Sequence, residues 1–287
     1  MKIIRRPDEM RALCRDFRKA GRTVGLVPTM GALHEGHLSL MQMSRKLCGA
    51  TVMSIFVNPI QFGPAEDYQK YPRPFESDCE KAEAAGCDAV FAPEQAAMYP
   101  PDYSSYVEVE RITGALCGAS RPGHFRGVAT VVLKFFNIVR PQVAIFGQKD
   151  AQQVVVIKRM VADLNVPVKI AVAPIVREKS GLAMSSRNVY LTTEERLQSS
   201  LIYKGLLAAS KLFDKGERMT QNLKAAIGEV LGAATLMSPE YIEIVNTLTL
   251  GPLEALPGQG QALIAIAVRM KTSKTRLIDN IVLGGEL

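Results

Sequence analysis

From the N-terminus to about residue 177, short apolar runs alternate with stretches whose apolar positions recur at helical spacing. PDEMRALCRDFRKAG, residues 7–21, predicts a helix with Pro7 near its start and Gly21 near its end, and TVGLV at 23–27 predicts a strand. The alternation continues with a helix from GHLSLMQMSRKLCG (36–49), a strand from ATVMSIFVN (50–58), a helix from ESDCEKAEAAG (76–86) and a strand from DAVFAP (88–93). GVATVVLKFFNIVRP (127–141) then leads to VAIFGQ (143–148), and DAQQVVVIKRMVADLN (150–165) to VPVKIAVAPIV (166–176). Strands this continuous in Val, Ile, Ala and Phe are buried on both faces, which requires helices on each side of a parallel sheet. Residues 1–177 therefore predict a doubly wound, Rossmann-like α/β domain.

The texture changes after residue 178. REKSGLAMSSRNVYLT is a polar loop, TEERLQSSLIYKGLLAASKLF and TQNLKAAIGEVLGA are helical, and YIEIVN, ALIAIAVRM and TRLIDNIVL predict strands of a small mixed sheet. Residues 178–287 are expected to form a second, smaller α+β domain placed as a lid, with GPLEALPGQGQ (251–261) as a hairpin or loop within it.

In doubly wound sheets, ligands bind beyond the carboxyl ends of the strands, where the strand order reverses. Polar residues gather at several such ends: Pro28 to His37, Asn58 to Gln61, and Gly147 to Asp150. The first holds His34 and His37, at the mouth of a helix that follows a short apolar run, Pro28, Gly31 and Gly36. Backbone N–H groups there lack intrahelical partners and the helix dipole favours an anion, so a phosphate is the natural guest. Histidine can donate to charge developing on phosphorus. Two metal ligands on one helical face, or surface histidines without a role, are the competing readings of HEGH taken alone.

Composition narrows the classes. The chain of 287 residues is 47% hydrophobic and 22% charged, ordinary for a globular protein with a substantial core. Its five scattered cysteines form no CxxC pair, so neither a disulfide framework nor a thiolate zinc site is indicated, and the cytoplasm is the expected location. No apolar run is long enough to span a membrane and the N-terminus lacks a signal-peptide core. The formal charge of +7 is dispersed, which favours anionic small molecules over nucleic acid. A Walker loop, a GxGxxG fingerprint and GxSxG are all absent.

PTMGALHEGHLSL, FVNPIQF, YPR, RPGHFRGVATVV, FGQKDAQQ and MSSRN occur in that order. HEGH at a strand-to-helix junction resembles the HxGH motif of the nucleotidyltransferase superfamily, and the whole set resembles the pantothenate synthetase family, the pantoate–β-alanine ligases. The resemblance spans the first domain and the interdomain loop. It implies a Rossmann-like enzyme that uses ATP with Mg2+ to join (R)-pantoate to β-alanine through a pantoyl adenylate, releasing AMP and pyrophosphate. It also implies a homodimer.

The resemblance further implies roles for individual residues. His37, His34, Lys149 and Arg187 would be the catalytic donors to the phosphates, His37 the foremost proton donor. Met30, Gly31, Gly147, Asp150, Val176, Met184, Ser185 and Ser186 would join them around ATP. Gln61 and Gln153, with Met30 as an apolar wall and His124 nearby, would hold pantoate and β-alanine. Asp78 is the candidate to assist magnesium, which ATP phosphates and water would mainly hold; solvation on the surface is its default reading. Asp150 could equally be a helix cap, and MSSRN alone would pass for an ordinary loop. A three-histidine metal site of His34, His37 and His124 is the rival chemistry. An HxGH enzyme that stops at nucleotide transfer, and an RNA-binding protein on a Rossmann-like scaffold, are the alternatives at the level of function; no nucleic-acid or membrane partner is expected.

Overall fold

A computed structural model describes residues 1–64, 66–256 and 261–287. Most of the predicted loop at 251–261 can thus be followed, but its residues 257–260 lie outside the described ones. The chain divides into two compact units. The first comprises Met1–Gly114, Gly118–Gly147 and Val156–Ala173; the second comprises Ala115–Cys117, Gln148–Val155 and Pro174–Leu287.

The first unit is built on a six-stranded sheet of order β1-β4-β3-β2-β5-β6, in which all pairings are parallel. Its strands are β1 (Lys2–Ile4), β2 (Val24–Thr29), β3 (Ala50–Ile55), β4 (Ala89–Phe91), β5 (Val143–Gly147) and β6 (Lys169–Ala173). Between them in the chain lie helices α1 (Pro7–Lys19), α2 (Glu35–Leu47), α3 (Phe75–Ala84), α4 (Gln95–Met98), α5 (Cys117–Ser120), α6 (His124–Val139) and α7 (Ala151–Asp163), of which α5 and α7 each divide between the two units. From β2 the chain winds outward through β3 to β4, then returns to place β5 on the other flank of β2. The order therefore reverses between β2 and β5, and ligand binding is expected at their carboxyl ends. Val27, Leu40, Met41, Met53, Val90 and Ile145 form part of its core.

Three local differences from the sequence expectation have physical causes. β1 is unannounced because only three residues of it pair, on the edge against β4. Pro28 continues β2 beyond the strand expected at 23–27. The Thr29 carbonyl accepts from Phe56 N–H, so Pro28 faces the opposite flank, where pairing with β5 has ended at Leu26; the missing N–H costs no ladder bond. Helix α6 begins at His124, three residues before the stretch at 127–141 that the sequence pattern marks out.

The second unit carries α8 (Thr193–Asp214), α9 (Thr220–Gly232) and the strands β7 (Met237–Asn246), β8 (Ala262–Met270) and β9 (Arg276–Leu283). The sheet, of order β7-β8-β9, is antiparallel throughout, which corrects the expected mixed sheet. Ile202, Leu206, Leu223, Ile227, Ile264 and Ile266 lie in its own core. A capping box at Thr192 and Glu195 starts α8. Among the described residues, no helix is long and apolar enough to cross a membrane.

Candidate active site

The turn after β2 is held from below by a carboxylate. Gly31 and Ala32 both adopt positive φ, 83° and 51°, a conformation that costs a non-glycine residue energy unless its surroundings impose it. Asp78 on α3 imposes it: its Oδ2 accepts from Ala32 N–H at 2.8 Å and its Oδ1 from Leu33 N–H at 2.7 Å. Its residue exposure is 1%, so the default surface reading of Asp78 is overturned. The sequence carried a signal for this, since Asp78 shares the helical stripe of Phe75, Cys79 and Ala82, three residues that pack inward.

The same turn fixes the protons of its histidines. His34 is the N-cap of α2 and its Nδ1 accepts from Gly36 N–H at 3.1 Å; His37 Nδ1 faces His34 N–H at 3.4 Å, closing a reciprocal cap. The rings lie 4.1 Å apart. With both Nδ1 atoms accepting from backbone, each neutral imidazole carries its proton on Nε2. The pair thus carries its Nε2–H protons at the N-terminus of α2, where the helix dipole favours negative charge.

A second cluster surrounds Gln61, in the 3-10 turn Pro59–Gln61 after β3. Asn58, 1% exposed, donates from Nδ2 to Gln61 Oε1 and to the Gly127 carbonyl, and its Oδ1 accepts from Tyr99 hydroxyl at 2.8 Å. Gln61 Nε2 faces Met30 Sδ at 3.0 Å, so the expected apolar wall and the amide do meet. His124 Nδ1 sits 2.8 Å from the Gln61 carbonyl, which can only accept, and Arg121 Nη1 is 3.0 Å from His124 Nε2. His124 is therefore protonated on Nδ1 and engaged on both nitrogens by its own surroundings. Arg121 also pairs with Glu66 at 2.5 Å. Burial alone would push the Glu66 carboxyl up, but the Arg121 hydrogen bond and charge, with His124 and Gly63, bring it below its usual range. Among the described residues no three His, Cys, Asp or Glu side chains are grouped to hold a metal ion, and the three-histidine site is not assembled.

Gly147 ends β5, and a Cβ built there would meet nothing nearer than Leu40 Cδ2 at 3.9 Å.

In the second unit, the 3-10 turn Gln148–Asp150 leads into α7, which carries Gln153 in its first turn. Lys149 Nζ is 4.0 Å from the Asp150 carboxylate. Val176 and Met184 pair directly, Met184 N–H donating to the Val176 carbonyl at 3.0 Å. Ser185 is the N-cap of the 3-10 turn Ser186–Tyr190, its Oγ accepting from Arg187 N–H at 3.3 Å. Asn188 closes the MSSRN motif from within: it is 4% exposed and donates to Glu178 Oε1 and the Ala183 carbonyl. Asn58, Arg121 and Asn188 stand within the sequence motifs without an expected role; in the structure Asn58 holds Gln61, Arg121 holds His124, and Asn188 holds Glu178 and the Ala183 carbonyl.

A family model described as pantoate-beta-alanine ligase matches residues 2–282. The pantothenate synthetase of Heliobacterium modesticaldum is 53% identical over 282 residues, 98% of this chain and 99% of that one. The solved pantothenate synthetase of Thermus thermophilus superposes with a TM-score of 0.90 at 42% identity, covering 98% of this chain and 99% of its own. The pantoate-beta-alanine ligase of Francisella tularensis, solved in complex with beta-gamma ATP and beta-alanine, gives 0.80 at 32% identity and covers 100% and 99%.

Proposed function

The chain belongs to the pantoate-beta-alanine ligase family, and from that premise we propose how its residues divide the work of the reaction. The enzyme condenses (R)-pantoate with β-alanine at the expense of ATP, giving pantothenate, AMP and pyrophosphate through a pantoyl adenylate. A carboxylate resists amine attack because oxide would have to leave; adenylation turns the leaving group into AMP.

The observation that carries the assignment of roles is the histidine cap. Both Nδ1 atoms accept from backbone, so His34 and His37 donate from Nε2 without tautomer choice at the moment of reaction. When the pantoate carboxylate attacks the α-phosphorus, charge grows on the non-bridging and leaving oxygens, and donors already in place stabilise it. His37 is the foremost donor, with His34, Lys149 and Arg187 on the phosphates. Met30, Gly31, Gly147, Asp150, Val176, Met184, Ser185 and Ser186 complete the ATP set, glycine at 147 permitting close approach of its backbone to the nucleotide. Gln61 and Gln153 hold pantoate, with Met30 against its gem-dimethyl group. His124 helps by fixing the Gln61 carbonyl.

Magnesium enters on ATP, held by phosphate oxygens and water as is usual for this ion, and neutralises phosphate charge when bound. Asp78 fits that ion poorly, because both of its oxygens already accept from Ala32 and Leu33. That the smaller, C-terminal part of the chain acts as a lid belongs to the same reading. So do a homodimer and a cytoplasmic location, the latter supported by five cysteines of which none is in a disulfide.

Incubation with ATP, Mg2+, (R)-pantoate and β-alanine should yield pantothenate, AMP and pyrophosphate in equal amounts. ADP and orthophosphate in their place would mean an acyl phosphate route and would overturn the assignment.

A further inference from the structure

Asn280 lies on β9, is 3% exposed, and has its amide fully engaged. Its Nδ2 donates to the carbonyls of Gln148 at 2.9 Å and Lys149 at 3.0 Å, and its Oδ1 accepts from Gln148 Nε2 at 3.2 Å. Those carbonyls belong to the peptide planes on either side of the Lys149 Cα. Each plane is rigid, so one amide gripping both fixes φ and ψ of Lys149 and the direction in which its side chain leaves the backbone. No other side chain is seen to do this for Lys149 among the described hydrogen bonds, and an apolar residue of similar size would leave both carbonyls without that partner.

The grip is itself anchored. Asn280 N–H donates to Asp279 Oδ1 at 2.8 Å, and Asp279, also 3% exposed, holds Arg177 through both oxygens at 2.5 and 2.9 Å. Arg177 donates in turn to the Gly181 carbonyl, and it bridges Ala183 beside the Val176 and Met184 pair. One dipeptide of β9 therefore holds the Lys149 turn and the base of the segment leading into Ser185–Arg187.

We propose that Asn280 is a positioning residue for adenylation, acting by presenting Lys149 to the phosphates of ATP, with Asp279 tying its strand to the Arg177 segment. The inference rests on the phosphate role given to Lys149 above.

A kinetic double-mutant cycle on the full chain tests it, with pantoate-dependent pyrophosphate release measured for wild type, Asn280→Ala, Lys149→Ala and the double variant. Asn280→Ala should lower kcat by about 100-fold, the cost of a small misplacement of a catalytic group, with KM for pantoate unchanged. In the Lys149→Ala background the same change should cost nothing further. Asn280→Asp, equal in size but turning an acceptor toward two carbonyls, should repeat the loss and serves if the alanine variant does not fold. Losses that multiply in the double variant, or wild-type rates in both Asn280 variants, would overturn the proposal while leaving the function standing. A wild-type chain with no pantoate-dependent release would instead overturn the function, and a Lys149→Ala variant at full rate would overturn both.

Discussion

His34 does two jobs that can be separated, because its Nδ1 caps a helix while its Nε2 carries the donor proton. Asparagine is a good N-cap, so His34→Asn should keep the melting behaviour within about 1 kcal/mol of wild type while removing the Nε2 donor. The rate of pyrophosphate release should then fall by about 100- to 1,000-fold, the range for loss of one preorganised donor. Parallel thermal melts and rapid-quench assays would check both halves. Asp78 makes a contrasting case. Asp78→Asn puts an amide N–H2 where a backbone N–H now donates, and should cost roughly 1–3 kcal/mol of stability through an unsatisfied buried group. KM for ATP should rise, yet the Mg2+ concentration giving half-maximal rate should not move; a shift confined to Mg2+ would restore the metal role. The histidines were legible in the sequence because HEGH stands at a strand-to-helix junction. The Asp78 contacts were not, since the partners are backbone N–H groups 45 or more residues away in the chain.

Helix α6 meets the Gln61 turn through a glycine. A Cβ on Gly127 would lie 2.4 Å from the Ile60 carbonyl oxygen and 2.7 Å from Gln61 Cα, both backbone atoms that cannot swing aside. Gly127→Ala should therefore displace the turn, lowering stability by about 1–3 kcal/mol as overpacking does and raising KM for pantoate more than KM for ATP. Equal changes in both constants would count against the assignment of Gln61 to pantoate. At the start of α8, Glu195 is fully buried and accepts from Thr192, Thr272 and Ser273 N–H. Burial pushes its carboxyl up, but these donors outweigh it and bring the pKa below the ordinary 4.5. A lowered folded pKa means that its stabilisation is complete above 4.5 and fades as pH falls through the folded value. Glu195→Gln should thus be destabilised most near neutral pH, with the gap to wild type narrowing in acid; denaturant titrations across that range would show it. The long helices, α1, α2 and α6 to α9, could be read from the spacing of their apolar positions, and β8 from its continuous apolar run. β1 could not, being three residues whose partner β4 is more than eighty positions away.

For the whole molecule, the alternation of strands and helices was enough to specify a doubly wound sheet, and the reversal between β2 and β5 explains why motifs after both strands carry polar residues. What no linear pattern announces is that Ala115–Cys117 and Gln148–Val155 belong with the C-terminal unit. Gln152 illustrates the cause: its amide accepts from Cys117 N–H and donates to the Ala115 carbonyl, contacts of sequence separation 35 and 37. The antiparallel order of the smaller sheet was likewise hidden, because strand direction depends on connections and not on strand composition. The central claim for the molecule is that pantoate is activated as an adenylate before β-alanine takes part. Exchange of labelled pyrophosphate into ATP, measured with (R)-pantoate present and β-alanine withheld, tests it most directly. Exchange that requires pantoate and proceeds without β-alanine is the predicted result; no exchange until β-alanine is added would contradict it.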